Sequence, residues 1–483
     1  MTPGFPVTLP GAVIWASSPA FADLNGDQVD EIIVGGSDGK VYAYRGSGAL
    51  LWQYDTGTTG IDSKAAIADI DGDGFPEVVV GAGSTIAPGS SPGVYVISHT
   101  GSFQCKFTTG AGVYSSPALA ELDFDDAGVK EIAFGSWDFK IRVINHDCTP
   151  KFQAAITDTV WSSPAIGDLD RDGIPEIVIG ADHNPSDNAE DGGMIHVFRH
   201  NLASEMPGFP VLVDEVVYSS PALGDLNGDG WLEIVVGTGW CWDRPICAPL
   251  GLTHNVTEAV YALSRFGTAL SGWPYPLPAD RYVFGSPALA DFDGDGALEV
   301  VFNTLQKVDS GPEGWVYVVD GGGLSLPGWP VQPTTPSCDH VPRHFGTSAS
   351  PIVADIDGDG SLNVVLPSNV DVVVWNEVGQ QLTADDACPY PAGDWVLTTD
   401  LLSAIGVGDI HADGAAELVT SGGTVGATAG KLYSWSFGAG AVGAQKPWPQ
   451  FRRSADNHAL FQFELFLDGF ESGNYFGWDA AVP

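Results

Sequence analysis

Residues 69–77 read DIDGDGFPE, which places three aspartates and a closing glutamate within nine positions. Oxygens at positions 1, 3, 5 and 9 can converge on one hard cation, and the carbonyl of position 7 can add a ligand. A shell of six or so oxygens suits Ca²⁺ better than Zn²⁺ or Mg²⁺. Glycines at positions 4 and 6 permit the tight turn. The EF-hand begins in a related way, but it needs flanking helices and a bidentate Glu at position 12. Here the flanks are short apolar runs and the acid falls at position 9. One such run alone would be equally well explained as a solvated turn, since Asp and Gly favour turns anyway.

Recurrence argues against a bare turn. Eight copies begin at Asp23, Asp69, Glu121, Asp168, Asp225, Asp291, Asp355 and Asp409, spaced by 46 to 66 residues. Three sets are complete: Asp69, Asp71, Asp73 and Glu77; Asp168, Asp170, Asp172 and Glu176; and Asp291, Asp293, Asp295 and Glu299. Asparagine takes the second place in Asp225, Asn227, Asp229 and Glu233, and in Asp23, Asn25, Asp27 and Glu31, where Gln28 also replaces a glycine. Asp355, Asp357 and Asp359 end in Asn363, a weaker ninth ligand. Asp409, His411, Asp413 and Glu417 offer an imidazole to a hard ion. Glu121, Asp123 and Asp125 precede Glu131 by too many residues, so this loop is expected to be altered or empty. About five to seven Ca²⁺ ions are expected, in a structural role that ties two strands at each turn.

The elements that position these loops follow from the surrounding pattern. A short run with apolar alternation enters each loop, and a Val/Ile-rich run such as EVVVG or EIVIG leaves it. A third run follows (VYAYR, VYVIS, IRVIN), then a fourth, often with a GFP or GWP signature as at 207–211, 271–275 and 327–331. Four short strands with turn signals between them make one antiparallel blade. Eight such blades in a ring give an all-β fold, a β-propeller, with seven blades and one degenerate repeat as the alternative. The opening MTPGFPVTLPG carries the fourth-strand signature ahead of the first repeat. It is read as an outer strand that closes the ring on the last blade. The propeller is expected over residues 1–460, with a short tail at 461–483.

The chain of 483 residues carries a net charge of −42 with 44% hydrophobic residues, so it is a folded acidic protein. That charge excludes nucleic acid and anionic membrane surfaces as partners. No run is long and apolar enough for a membrane span. The first residues lack the basic and apolar regions of a secretory signal, which implies a removed signal or a start inside a longer product.

The repeats resemble FG-GAP repeats, also called VCBS repeats, as in integrin α-subunit propellers and many secreted bacterial proteins. The resemblance covers roughly residues 1–460. It implies a secreted or cell-surface propeller of calcium-loaded blades used for adhesion or ligand binding. Integrin loops often end in Asp, whereas Glu is the usual ninth residue here. PWPQFRRSADNHALF at 447–461 resembles a segment that follows the last such repeat in bacterial proteins, and LDGFESGNYFGW resembles a tail of secreted Gram-negative proteins.

An aromatic precedes several repeats: Trp15, Tyr114, Trp161, Tyr218, Phe284 and Phe345. Tyr218 is seven steps from Asp225, about 23 Å if extended, so the aromatics and the acidic loops lie on opposite rims. The rings either pack between blades or line a mouth that receives a sugar or a partner's side chain. Insertions on that rim include the stretch 238–258 with GWCWDRPIC, where Trp240 and Trp242 would suit carbohydrate. The ligand-binding candidates are therefore Trp15, Trp161, Tyr218, Trp240 and Trp242, with a protein or carbohydrate partner and a monomeric chain. The six cysteines permit the pairings Cys241–Cys247, Cys105–Cys148 and Cys338–Cys388. Enzyme signals are weak. GGSDG at 35–39 matches GxSxG but joins two strands, not a strand and a helix. A binding module is expected, with a polysaccharide-degrading enzyme as the lesser alternative.

Overall fold

The computed structural model describes residues 1–10, 17–83, 91–124, 128–183, 192–239, 258–278, 281–306, 314–333, 349–368, 371–383, 402–422, 429–437 and 457. Within them every regular element is a strand. Eight antiparallel blades form the ring. The first runs through Ala20–Ala22, Glu31–Gly35, Lys40–Tyr44 and Leu50–Asp55, paired in that order. The others repeat the order from Ala66–Ala68, Ala118–Ala120, Ala165–Gly167, Ala222–Gly224, Ala288–Ala290 and Ile352–Ala354. In the sixth and seventh blades the fourth strand is reduced to bridges such as Val316 to Val331 and Trp375 to Gln381.

The eighth blade closes the ring as the repeat pattern predicted. Its inner three strands are Leu402–Gly408, Glu417–Gly422 and Ala429–Ser436, and the N-terminal strand Val7–Pro10 pairs antiparallel outside them. Velcro of this kind joins the two ends of the chain and leaves no blade with a missing edge. The seven-bladed alternative is excluded.

The SSP motif of the first, third, fourth and fifth repeats, with GSP and ASP in the sixth and seventh, explains how blades hold each other. The first serine accepts a hydrogen bond from the glycine N–H at the end of the second strand: Gly135 to Ser115 Oγ at 3.1 Å, Gly180 to Ser162 Oγ at 3.1 Å. The second serine reaches the neighbouring blade. The N–H of Lys64 donates to Ser116 Oγ, Ser116 to Ser163, Ser163 to Ser220, Ser220 to Ser286 and Ser286 to Ser350, all at 2.8–2.9 Å. These buried bonds run around the channel and satisfy N–H groups at its wall.

The glycine that ends the Val/Ile run in the first five blades is also an inter-blade contact. A Cβ built on Gly81 would stand 2.6 Å from Val113, and one on Gly180 would stand 2.3 Å from Val217. The β-branched residue before the next SSP fills the space that glycine leaves. The hydrophobic core accordingly lies between blades, as where Val79, Val94 and Val96 of the second pack on Leu119, Ile132 and Phe134 of the third. One covalent staple strengthens the same seam: Cys105 on strand Phe103–Thr108 is bonded to Cys148 in the following blade, with Cα atoms 5.8 Å apart. The cysteine pairs at 241/247 and 338/388 lie outside the described residues.

Acidic loops and an aromatic rim as candidate functional sites

The acidic loops join the first and second strands of every blade, so all eight lie on one face of the ring. Their internal hydrogen bonds follow one plan. In the second loop Asp69 accepts the N–H groups of Gly72 and Gly74 at 2.7 and 2.9 Å. Asp71 accepts from Asp73, and Asp73 from Phe75. The ninth side chain then folds back onto the N–H of position 2. Glu31, Glu77, Glu131, Glu176, Glu233, Glu299, Asn363 and Glu417 all make this bond, at 2.7–3.1 Å. Positive φ at positions 4 and 6 is needed throughout, and Gln28, Arg171 and Ala412 adopt it in place of glycine.

The ninth residue begins the second strand, so it is buried, with only 1–2% of its surface exposed. Burial pushes the carboxyls of Glu77, Glu176, Glu233 and Glu299 up to about 7, and the neighbouring aspartates add repulsion. Glu31 and Glu417 are raised for the same leading reason. Placing ionised acids here is unfavourable unless a cation joins them.

The loops differ in what meets the second oxygen of that ninth carboxylate. Asn25 donates to Glu31, Gln104 to Glu77 and Asn227 to Glu233, each a neutral partner. Arg199 reaches Asp170 and Glu176 at 2.5 and 2.9 Å, and Lys151 reaches Asp123 and Glu131. In the eighth loop His411 Nδ1 stands 3.5 Å from Glu417 Oε2, the oxygen that already accepts the N–H of Ile410. The sixth blade is the opposite case. Its loop carries Asp291, Asp293, Asp295 and Glu299, and Asp320 lines the same cleft. Buried Asp291 Oδ1 there, and Asp357 Oδ1 in the seventh loop, have no hydrogen-bond partner.

Candidate ligand oxygens within 4.8 Å of one another come from Asp69, Asp71 and Glu77; from Glu121, Asp123 and Glu131; from Asp168, Asp170 and Glu176; from Asp291, Asp293 and Asp295; and from Asp355, Asp357 and Asp359. Oxygens at that separation can share an ion with bonds of about 2.3–2.6 Å. The all-oxygen donor set, buried carboxylates and two orphaned oxygens fit Ca²⁺. Residues Asp23, Asn25, Asp27 and Glu31, then Asp225, Asn227, Asp229 and Glu233, hold the same backbone plan with an amide at position 3. Asp409, Asp413 and Glu417 do so with His411 between them.

The opposite face carries the aromatics. Tyr114, Trp161, Tyr218 and Phe284 follow one another around the mouth, with ring centroids 4.9, 5.0 and 5.5 Å apart. Trp137, which the repeat pattern did not single out, completes the arc at 4.5 Å from Trp161 and 5.5 Å from Tyr114. All five are half-buried, so each packs against a neighbour and still shows one side. The rings meet at 45–67° along most of the arc, which makes a curved wall instead of a flat platform. In the second blade Asp62 takes the aromatic position and bonds Tyr114, and burial raises it to about 6. Asp182, whose Oδ2 accepts from Thr159, is buried nearby and raised to about 8. Trp15, Trp240 and Trp242 lie outside the described residues.

Lys64 breaks the SSP pattern in that same blade, and its buried Nζ donates to Asn457 Oδ1 at 2.9 Å. Asn457 in turn donates to the carbonyl of Pro117 at 2.8 Å, so a C-terminal residue is seated against the inner strands. Nothing in the repeats signals this contact, because its partners are separated by 393 residues.

An FG-GAP-like repeat model matches residues 23–80, and an FG-GAP repeat model matches 160–198 and 217–240. A stretch of 128 residues is 27% identical to integrin alpha-3 of Cricetulus griseus, covering 23% of this chain and 12% of the integrin's length. Among solved structures, the V. cholerae biofilm matrix protein Bap1 superposes with a TM-score of 0.56 at 14% identity, over 92% of this chain and 91% of Bap1. The quinohemoprotein alcohol dehydrogenase of Comamonas testosteroni gives 0.52 at 12% identity, over 90% and 76%. At those identities the two likenesses concern the fold alone. Repeat grammar and ring make the chain an eight-bladed β-propeller, and the first, fourth and fifth of its repeats match FG-GAP repeat models.

Proposed function

We propose that this chain is an extracellular, calcium-stabilised interaction module whose aromatic rim receives a basic side chain of a protein partner. The observation that carries the reading is the continuous arc of Tyr114, Trp137, Trp161, Tyr218 and Phe284. Tilted, half-exposed rings beside Asp62 form a cage for a cation, which π-faces and a carboxylate both attract. The net charge of −42 draws a basic partner and repels an acidic one. The acidic face has a different task. There Ca²⁺ neutralises the buried ninth carboxylates and ties the first two strands of each blade, so the rim sits on a rigid ring.

A carbohydrate ligand is the second reading, favoured by the indole surface of Trp137 and Trp161. The tilt between those rings fits a compact knob better than a flat sugar face. An array presenting Arg- and Lys-rich peptides beside glycans, probed in calcium, separates the two. Peptide binding that Trp161→Ala abolishes supports the proposal, glycan binding supports the second reading, and a blank array from folded protein refutes both.

A further inference from the structure

The third blade departs from the others at its acidic loop. Glu121 and Glu131 lie ten steps apart, where the equivalent Asp69 and Glu77 lie eight apart. Phe124, with φ of 54°, donates its N–H to Glu121 at 2.9 Å, and Leu122 donates to Glu131 at 2.8 Å. These two bonds match those of Gly72 and Ile70 in the second loop. A side-chain ammonium group meets the acids: Lys151 Nζ lies 2.9 Å from Asp123 Oδ2, 3.0 Å from its Oδ1 and 2.9 Å from Glu131 Oε1. Lys151 is 12% exposed, and Glu131 is 2% exposed.

The lysine reaches the loop by register. In the third blade Ile144 pairs with Pro150 across a bulge, and in the second Ile97 pairs with Phe103 across the same bulge. Lys151 and Gln104 are each one residue further on, and each points its terminal nitrogen at the ninth glutamate of its own blade. Gln104 is neutral and touches one carboxylate; Lys151 is cationic and bridges two. An ammonium nitrogen 2.9 Å from two carboxylates at ligand positions 3 and 9 stands in the space where an ion would bond them both.

We propose that Lys151 is the resident cation of the third blade, which makes this loop independent of calcium while loops whose ninth glutamate meets a neutral partner, as in the second and fifth blades, bind it. The inference rests on the calcium reading of the other loops. A tethered charge cannot be chelated or diluted away, so Asp123 and Glu131 keep a counter-charge when calcium is scarce, and Arg199 bridges Asp170 and Glu176 of the fourth loop in the same way. That blade is also the one that the Cys105–Cys148 bond ties to the second.

The test compares the full chain with Lys151→Gln, which installs the residue of the second blade, and Lys151→Arg, which keeps the charge. Crystals of each are soaked in terbium, and anomalous scattering locates every ion; native mass spectrometry counts calcium in parallel. The expected result is ions at 69–77 and 291–299 in all three proteins. An ion at Glu121, Asp123 and Glu131 is expected in Lys151→Gln alone, with one more calcium counted than in wild type. An ion in the third loop of the wild type overturns the proposal, and so does an unchanged count in Lys151→Gln. No ion in any loop of any protein overturns the calcium reading beneath it, and the proposal with it.

Discussion

Stripping calcium should reverse the usual effect of pH on this protein. Glu77, Glu176, Glu233 and Glu299 are held near 7 by burial, against an ordinary 4.5. Without metal, the folded chain binds these protons more tightly than the unfolded chain does. Stability is then full below about pH 4.5 and falls as pH rises through about 7. In a dry site each ionisation would cost about 3 kcal/mol. Water at the loop face screens that to about 1 kcal/mol, or about 4 kcal/mol over the four loops. Asp62 and Asp182 act in the same direction. Asp138, lowered to about 2 by Arg142 and Ser136 against the opposing effect of burial, acts only below pH 3.8. The assay is urea unfolding of decalcified protein at about pH 5 and pH 7.5, followed by tryptophan fluorescence, with and without added calcium. The decalcified protein should unfold at lower urea at pH 7.5, and calcium should remove or invert the difference because protons compete with it. Decalcified protein that is equally stable at both values, or more stable at pH 7.5, refutes the reasoning.

Other outcomes follow from the packing. Gly180→Ala should destabilise by about 1–3 kcal/mol, because its methyl meets Val217 at 2.3 Å, and adding Val217→Ala should recover part of the loss; equilibrium unfolding of the single and double variants checks the coupling. Ser163→Ala leaves the buried N–H of Ser116 without its acceptor and should cost about 1–3 kcal/mol in the same assay. Replacing both Cys105 and Cys148 by serine opens a link across 43 residues and should cost up to about 4 kcal/mol, read as a lower melting temperature under non-reducing conditions. Trp161→Ala should weaken binding of a basic peptide by about tenfold, measured by titration calorimetry, with the fold unchanged by circular dichroism.

The ring was legible because repetition is a sequence property. Each blade restates its strands, and the fourth-strand signature ahead of Asp23 shows where the circle closes. The rims followed from counting residues between Tyr218 and Asp225. Contacts between blades were less legible. The SSP serines repeat in plain view, but their hydrogen bonds join residues 47 to 66 apart, and only the ring brings those together. Lys151 lies 28 residues beyond Asp123, and nothing near it marks it as a partner of that loop. Trp137 sits after the second strand, outside the position where the other aromatics recur. Lys64 and Asn457 meet across 393 residues, a separation that no local pattern reports.

Calcium titration of decalcified protein by calorimetry, with magnesium as the control, tests the central claim most directly. Calcium-loaded loops predict about five to seven ions per chain, bound in preference to magnesium, with proton release as the buried glutamates ionise. Heat no greater than dilution, or calcium and magnesium bound alike, would contradict it.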